Sequence, residues 1–67
     1  MQKNIEIIDQ KKANEIVETY KPIGLFLLPA NKNNVAFWTA IDNLSGEAFS
    51  EDFETKENAV LWLLKYS

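Results

Sequence analysis

The residues of this chain that could support catalysis have no histidine beside them, and histidine is the side chain that most often transfers protons in enzymes. Ser45, Ser50 and Ser67 could act as nucleophiles only beside a base, and the chain contains no histidine and no cysteine. Paired carboxylates could supply general acid–base catalysis instead, and the candidates are Glu47, Glu51, Asp52 and Glu54. A chain of 67 residues has little room for a pocket of about 300 Å³ or more. We therefore expect no catalytic residue and no enzymatic activity.

Metal and cofactor sites are not expected either. Zinc sites are built mainly on cysteine and histidine, and disulfides need cysteine. The segment 42–46 with Glu47 and Glu51 nearby is similar to a calcium loop, but Leu44 occupies a position that requires an oxygen ligand and the closing glutamate is misplaced. Gly24 and Gly46 are the only glycines and stand far apart, so no glycine-rich phosphate loop is present.

Charge is distributed unevenly along the chain. Seven lysines face ten Asp and Glu residues, for a net charge of −3, and there is no arginine. Between residues 42 and 57, Lys56 is the single base among six acids, which are Asp42, Glu47, Glu51, Asp52, Glu54 and Glu57. Nucleic acid is not the expected partner of such a chain, because nucleic-acid binders usually carry an excess of basic residues and use arginine. The acidic segment either keeps a small protein in solution, docks a basic protein, or imitates nucleic-acid charge.

Two helices are predicted to position these residues. Between residues 10 and 20, apolar side chains recur at i, i+3, i+4 and i+7, which is typical of an amphipathic helix. Asp9 suits its N-cap, and the helix must end before Pro22, because a residue preceding proline avoids helical angles. The second helix covers residues 56–66 behind a Thr55 cap, with acid in its first turn and Lys65 in its last.

Three strands are predicted between the helices, and their short loops favour an antiparallel meander. They cover residues 23–28, 35–41 and 47–53, with turns at 31–34 and 42–46. Residues 2–8 have two interpretations: Ile5 and Ile7 alternate with polar residues as in a strand, whereas Asn4 could cap a longer helix. The prediction is one α+β domain over residues 1–67, ordered (β)-α-β-β-β-α, with both helices on one face of the sheet.

The aromatic and apolar residues suggest contact surfaces. The second helix is apolar nearly all round, with Leu61 on its polar side and Trp62 at the edge, so this side could bind a partner or form a homodimer. The alternative is that other parts of the chain cover it. Trp38 points away from Phe37 and Ile41, so one side of this strand would be near solvent if only one face is covered. An exposed Trp38 could stack on bases, but residues 35–53 contain no lysine to attract phosphate.

Residues 53–59, Phe-Glu-Thr-Lys-Glu-Asn-Ala, resemble the strand-to-helix junction of small ββ-β-α domains, including the arm-binding modules of phage and transposon integrases. That resemblance implies DNA binding through a basic sheet, whereas this sheet is acidic. The short lysine- and asparagine-rich chain also resembles accessory proteins of Gram-positive mobile elements.

The sequence therefore predicts a non-enzymatic protein-interaction module. Its candidate contact residues are Trp38, Glu47, Glu51, Asp52, Glu54, Leu61 and Trp62. The alternative is an acidic nucleic-acid mimic, encoded on a mobile element, that inhibits a DNA-binding protein; a nucleic-acid-binding sheet ranks below both. A cytoplasmic location is expected, because cysteine, a signal peptide and an apolar run of about 20 residues are all missing from the sequence.

Overall fold

The structure is a computed structural model that describes residues 4–66, with the backbone alone for Tyr66. Ser67 and residues 1–3, where the predicted first strand begins, lie outside the described residues. The elements follow in the order β1 (Ile5–Ile7), α1 (Gln10–Thr19), β2 (Leu25–Lys32), β3 (Val35–Asp42), β4 (Phe49–Phe53) and α2 (Lys56–Tyr66).

The strands form one four-stranded mixed sheet in the order β1-β2-β3-β4. β2, β3 and β4 are the predicted antiparallel meander. β1 pairs parallel to β2, because α1 carries the chain back across the sheet between them. The α+β class and the strand interpretation of the N-terminal segment are therefore confirmed, and the sheet is mixed.

The helices lie on opposite faces of the sheet, so the prediction that both pack on one face is wrong. α1 packs through Ala13 and Ile16, and its cluster on the sheet contains Phe26, Leu28 and Ile41. α2 packs through Ala59 and Leu63, and its cluster contains Leu25, Leu27 and Ala40. Successive side chains of a strand point to opposite faces, so the fully buried run at residues 25–28 needs cover on both sides.

The two N-caps predicted from the sequence, Asp9 and Thr55, are present in the structure. The Lys12 backbone N–H donates to Asp9 Oδ1 at 2.9 Å. The Asn58 N–H donates to Thr55 Oγ1 at 3.2 Å. α1 ends at Thr19 and is followed by the C-cap Tyr20, which has a φ of 60° and lies two residues before Pro22. Each cap satisfies backbone groups that a helix end would otherwise leave without a partner.

Strand β2 is longer than the predicted 23–28, starts later and passes through Pro29. Proline is tolerated because Pro29 opposes Trp38 at a position where the backbone N–H does not point to β3. β4 is shorter than the predicted 47–53. The residue before it, Ala48, has a φ of 51°, which breaks the extended backbone.

The β2–β3 hairpin closes with a two-residue loop in which both residues have positive φ, 54° at Asn33 and 66° at Asn34. Such loops prefer Asn-Gly, and β-branched residues are strained at positive φ. We expect Asn34→Val to lower the free energy of unfolding by about 1–2 kcal/mol, and Asn34→Gly to leave it within about 0.5 kcal/mol. Urea unfolding measures both changes. Equal stability of the two variants would contradict the loop geometry.

Candidate functional site

Strand β4 forms one edge of the sheet, and no other strand within residues 4–66 pairs with its outer side. Its first four residues are exposed and Phe53 is half-buried. An edge strand presents backbone N–H and C=O groups that can pair with another chain. Within residues 4–66, the outer side of β4 therefore leaves hydrogen-bonding capacity unused, over a longer stretch than the three-residue β1 at the opposite edge.

The hydrogen bonds of β2 show which way the backbone groups of β3 point. The Ile8 N–H donates to the Leu27 carbonyl at 2.8 Å, so the backbone N–H and C=O of Leu27 point toward β1 and away from β3. Ala40 stands directly opposite Leu27, and its groups therefore point away from β2, toward β4. Gly24 and Asn43 exchange both N–H···O=C bonds, at 3.3 and 2.8 Å, as this alternation requires.

The same alternation determines which groups of β4 are open. Glu51 stands opposite Ala40, so its N–H and C=O point inward to β3. The backbone groups of Ser50 and Asp52 then point outward, away from the sheet. The open edge consists of two donors and two acceptors on these alternate residues.

The predicted acidic residues do not form one continuous face. Glu51 and Asp52 are both exposed, but they are neighbours in a strand and project to opposite faces. Asp52 lies on the α1 side, where its Oδ1 accepts a hydrogen bond from Thr39 Oγ1 at 2.7 Å. Glu47 is exposed in the preceding loop and Glu54 just after the strand. The carboxylates thus flank the open edge on both sides.

Asp42 does not belong to this surface. It is buried, with 8% of its surface exposed, and its Oδ1 accepts the Leu44 N–H at 3.1 Å. The role of this carboxylate is to hold the turn that follows β3. The acidic surface of the folded protein is consequently smaller than the sequence run from 42 to 57 indicated.

The predicted aromatic contacts are mostly used inside the protein. Trp38 and Trp62 are half-buried and pack against the α2 cluster. The Trp62 ring lies 5.9 Å from the Phe53 ring, centroid to centroid, and Lys56 Nζ lies 5.6 Å from the Trp38 centroid. Leu61 is 57% exposed and is the contact residue on α2 with the freest side chain.

Asn43 positions the start of β4, and sequence reasoning missed it. Its side chain is fully buried, donates from Nδ2 to the Pro22 carbonyl at 2.8 Å, and accepts the Ala48 N–H at Oδ1 at 2.9 Å. One amide thus joins the loop before β2 to the loop before β4. The only sequence signal was an asparagine in a turn, which is common on surfaces.

Two depressions lie elsewhere on the surface. An open groove of about 210 Å³ runs between α1 and the sheet, where Val17, Phe37 and Thr39 are among its lining residues. A second of about 460 Å³ lies beside β1 and the residues 22–26. The described residues contain no group of three or more acidic side chains that could hold a metal ion.

Among residues 4–66, neither helix has the length and apolar character needed to cross a bilayer. No protein-family model, curated protein or solved structure matches this chain.

Proposed function

We propose that this protein is a non-enzymatic protein-interaction module of the cytoplasm that binds a basic protein partner along β4. The observation that carries the proposal is the open edge of this strand, with exposed carboxylates on both sides of it. Complementary charge accelerates encounter and excludes acidic competitors, while the open backbone groups provide directional contacts.

The nucleic-acid alternatives receive less support from the geometry. An acidic mimic needs a row of charges that one basic groove can contact, whereas Glu51 and Asp52 project to opposite faces. Direct binding through Trp38 would place bases near a ring that already contacts Lys56 and packs under α2. A basic protein segment along the edge, by contrast, can reach carboxylates on both faces at once.

A homodimer through α2 remains a separate hypothesis. It rests on Leu61 and Trp62, but the Trp62 ring packs on Phe53, so the contact would fall to the exposed Leu61 and Leu64. Two exposed leucines still offer far less apolar surface than a stable dimer requires. We therefore assign the partner contact to β4.

Charge reversal tests the proposed function. Tagged protein is used to capture cross-linked partners from the native cell, with mass spectrometry as the readout. Glu51→Lys with Glu54→Lys is expected to reduce recovery of the specific partner by about tenfold or more, because lysines would repel a basic segment. The matched control, Glu15→Lys with Glu18→Lys, makes the same charge change on exposed α1 positions.

The control variant should recover the same partner as the unmodified protein. Equal recovery by the β4 variant would refute the edge as the binding surface. Parallel loss in both variants would show that net charge alone governs binding, which also contradicts the proposal.

A further inference from the structure

We infer that the partner binds by adding an extended basic segment to β4 as an antiparallel fifth strand, an inference that rests on the proposed function. Ser50 and Asp52 each direct one N–H and one C=O outward, and they lie two residues apart on one strand. That arrangement matches the hydrogen-bonding pattern of a neighbouring strand. The antiparallel direction follows that of β2–β3–β4 and gives the more stable pairing per residue.

The side chains of β4 define the chemistry of the added strand. Residues of the partner opposite Ser50 and Asp52 would form hydrogen-bonded pairs, and the residue opposite Glu51 would form a close pair without backbone hydrogen bonds. Basic side chains suit the positions opposite Glu51 and Asp52, and apolar ones suit those opposite Phe49 and Phe53. In antiparallel pairing the N-terminal residue of this segment lies opposite Phe53 and the C-terminal one opposite Phe49. The order of its side chains is therefore apolar, basic, basic, polar, apolar.

A second copy of this chain does not meet that requirement. If two β4 strands paired antiparallel about a two-fold axis at their middle residue, Glu51 would stand directly opposite Glu51 of the other copy. Like charges directly opposite each other destabilise a pair of strands. The acidic edge thus opposes self-association and leaves the site to a basic segment.

The direct test uses a synthetic peptide, Lys-Val-Lys-Lys-Thr-Val-Lys, and two N-methylated forms of it. One form is methylated at the two residues opposite Ser50 and Asp52, whose N–H groups face β4. The other is methylated at the residue opposite Glu51, whose N–H points away. All three peptides carry the same charge, so they separate strand addition from electrostatic attraction.

Binding is measured by NMR titration, together with amide hydrogen exchange of the protein. We expect the unmodified peptide to slow exchange at Ser50 and Asp52 by about tenfold or more, because these amides gain a partner. The facing N-methyl groups should weaken binding by about tenfold or more, and the outward one by less than about threefold. Glu51→Lys should lose binding, and a peptide with glutamate at the opposing position should restore it.

Equal affinity of all three peptides, no protection at Ser50 and Asp52, or no binding of any peptide would each overturn strand addition. The proposed function has its own readout in partner capture. If charge reversal abolishes capture while the peptides show no strand pairing, the interaction module stands and this inference fails. If the peptides pair with β4 but charge reversal does not change recovery of the partner, β4 can accept an added strand and the proposed function is refuted.

Discussion

Asn43→Ala is expected to lower the free energy of unfolding by about 2–4 kcal/mol. The substitution removes the hydrogen bonds to the Pro22 carbonyl and from the Ala48 N–H, both of which are partly buried. Each buried polar group left without a partner costs about 1–3 kcal/mol, and a chain of this length has roughly 3–10 kcal/mol of stability in total. A large part of the variant should therefore be unfolded in modest urea.

The measurement is equilibrium urea unfolding followed by tryptophan fluorescence. Asn31→Ala is the matched control, because Asn31 is exposed on β2 and should change stability by less than about 0.5 kcal/mol. A further consequence concerns β4. Since Asn43 holds Ala48, amides at the start of β4 should exchange faster in a variant that still folds. Equal midpoints for both variants would show that the buried amide contributes little.

Leu63→Ala is expected to lower the free energy of unfolding by about 2–5 kcal/mol, the range for truncation of a buried leucine. Leu63 is fully buried beneath α2 and belongs to the cluster that contains Leu27 and Ala40 of the sheet. Truncation leaves a cavity that the surrounding side chains fill only in part. Few other buried residues can compensate, because a domain of this size has a thin core.

Leu61→Ala provides the control on the same helix, two residues away and 57% exposed. It should change stability by less than about 0.5 kcal/mol, since surface substitutions away from special features have small effects. The comparison uses the same chemical change at a buried and an exposed position. If the two variants lost similar stability, the assignment of the inner face of α2 would be wrong.

Much of the local structure was predictable because it depends on short-range chemistry. Asp9 and Thr55 carry side chains that cap helices, and both helices begin directly after them. The β2–β3 turn follows from asparagines that tolerate positive φ. The alternation of Phe37 and Trp38 correctly indicated that they project to opposite faces of β3.

The candidate site was predictable only in part. Glu47, Glu51, Asp52 and Glu54 are exposed as expected, but their division between two faces depends on where β4 begins. The sequence places Trp62 at a partner contact, yet its ring packs against Phe53, a residue nine positions earlier. Such contacts between elements are not encoded in the periodicity of either element alone.

The sequence by itself determined the element types, the caps and turns, and the chemistry that the chain lacks, because propensity, periodicity and composition are local or additive properties. Only the tertiary structure decided that the helices cover opposite faces, that β1 pairs with β2, and that β4 is an open edge. It also decided that Asn43 and Asp42 are buried while Glu51 is exposed. These features depend on which surfaces remain once distant segments have packed together, and no short stretch of sequence contains that information.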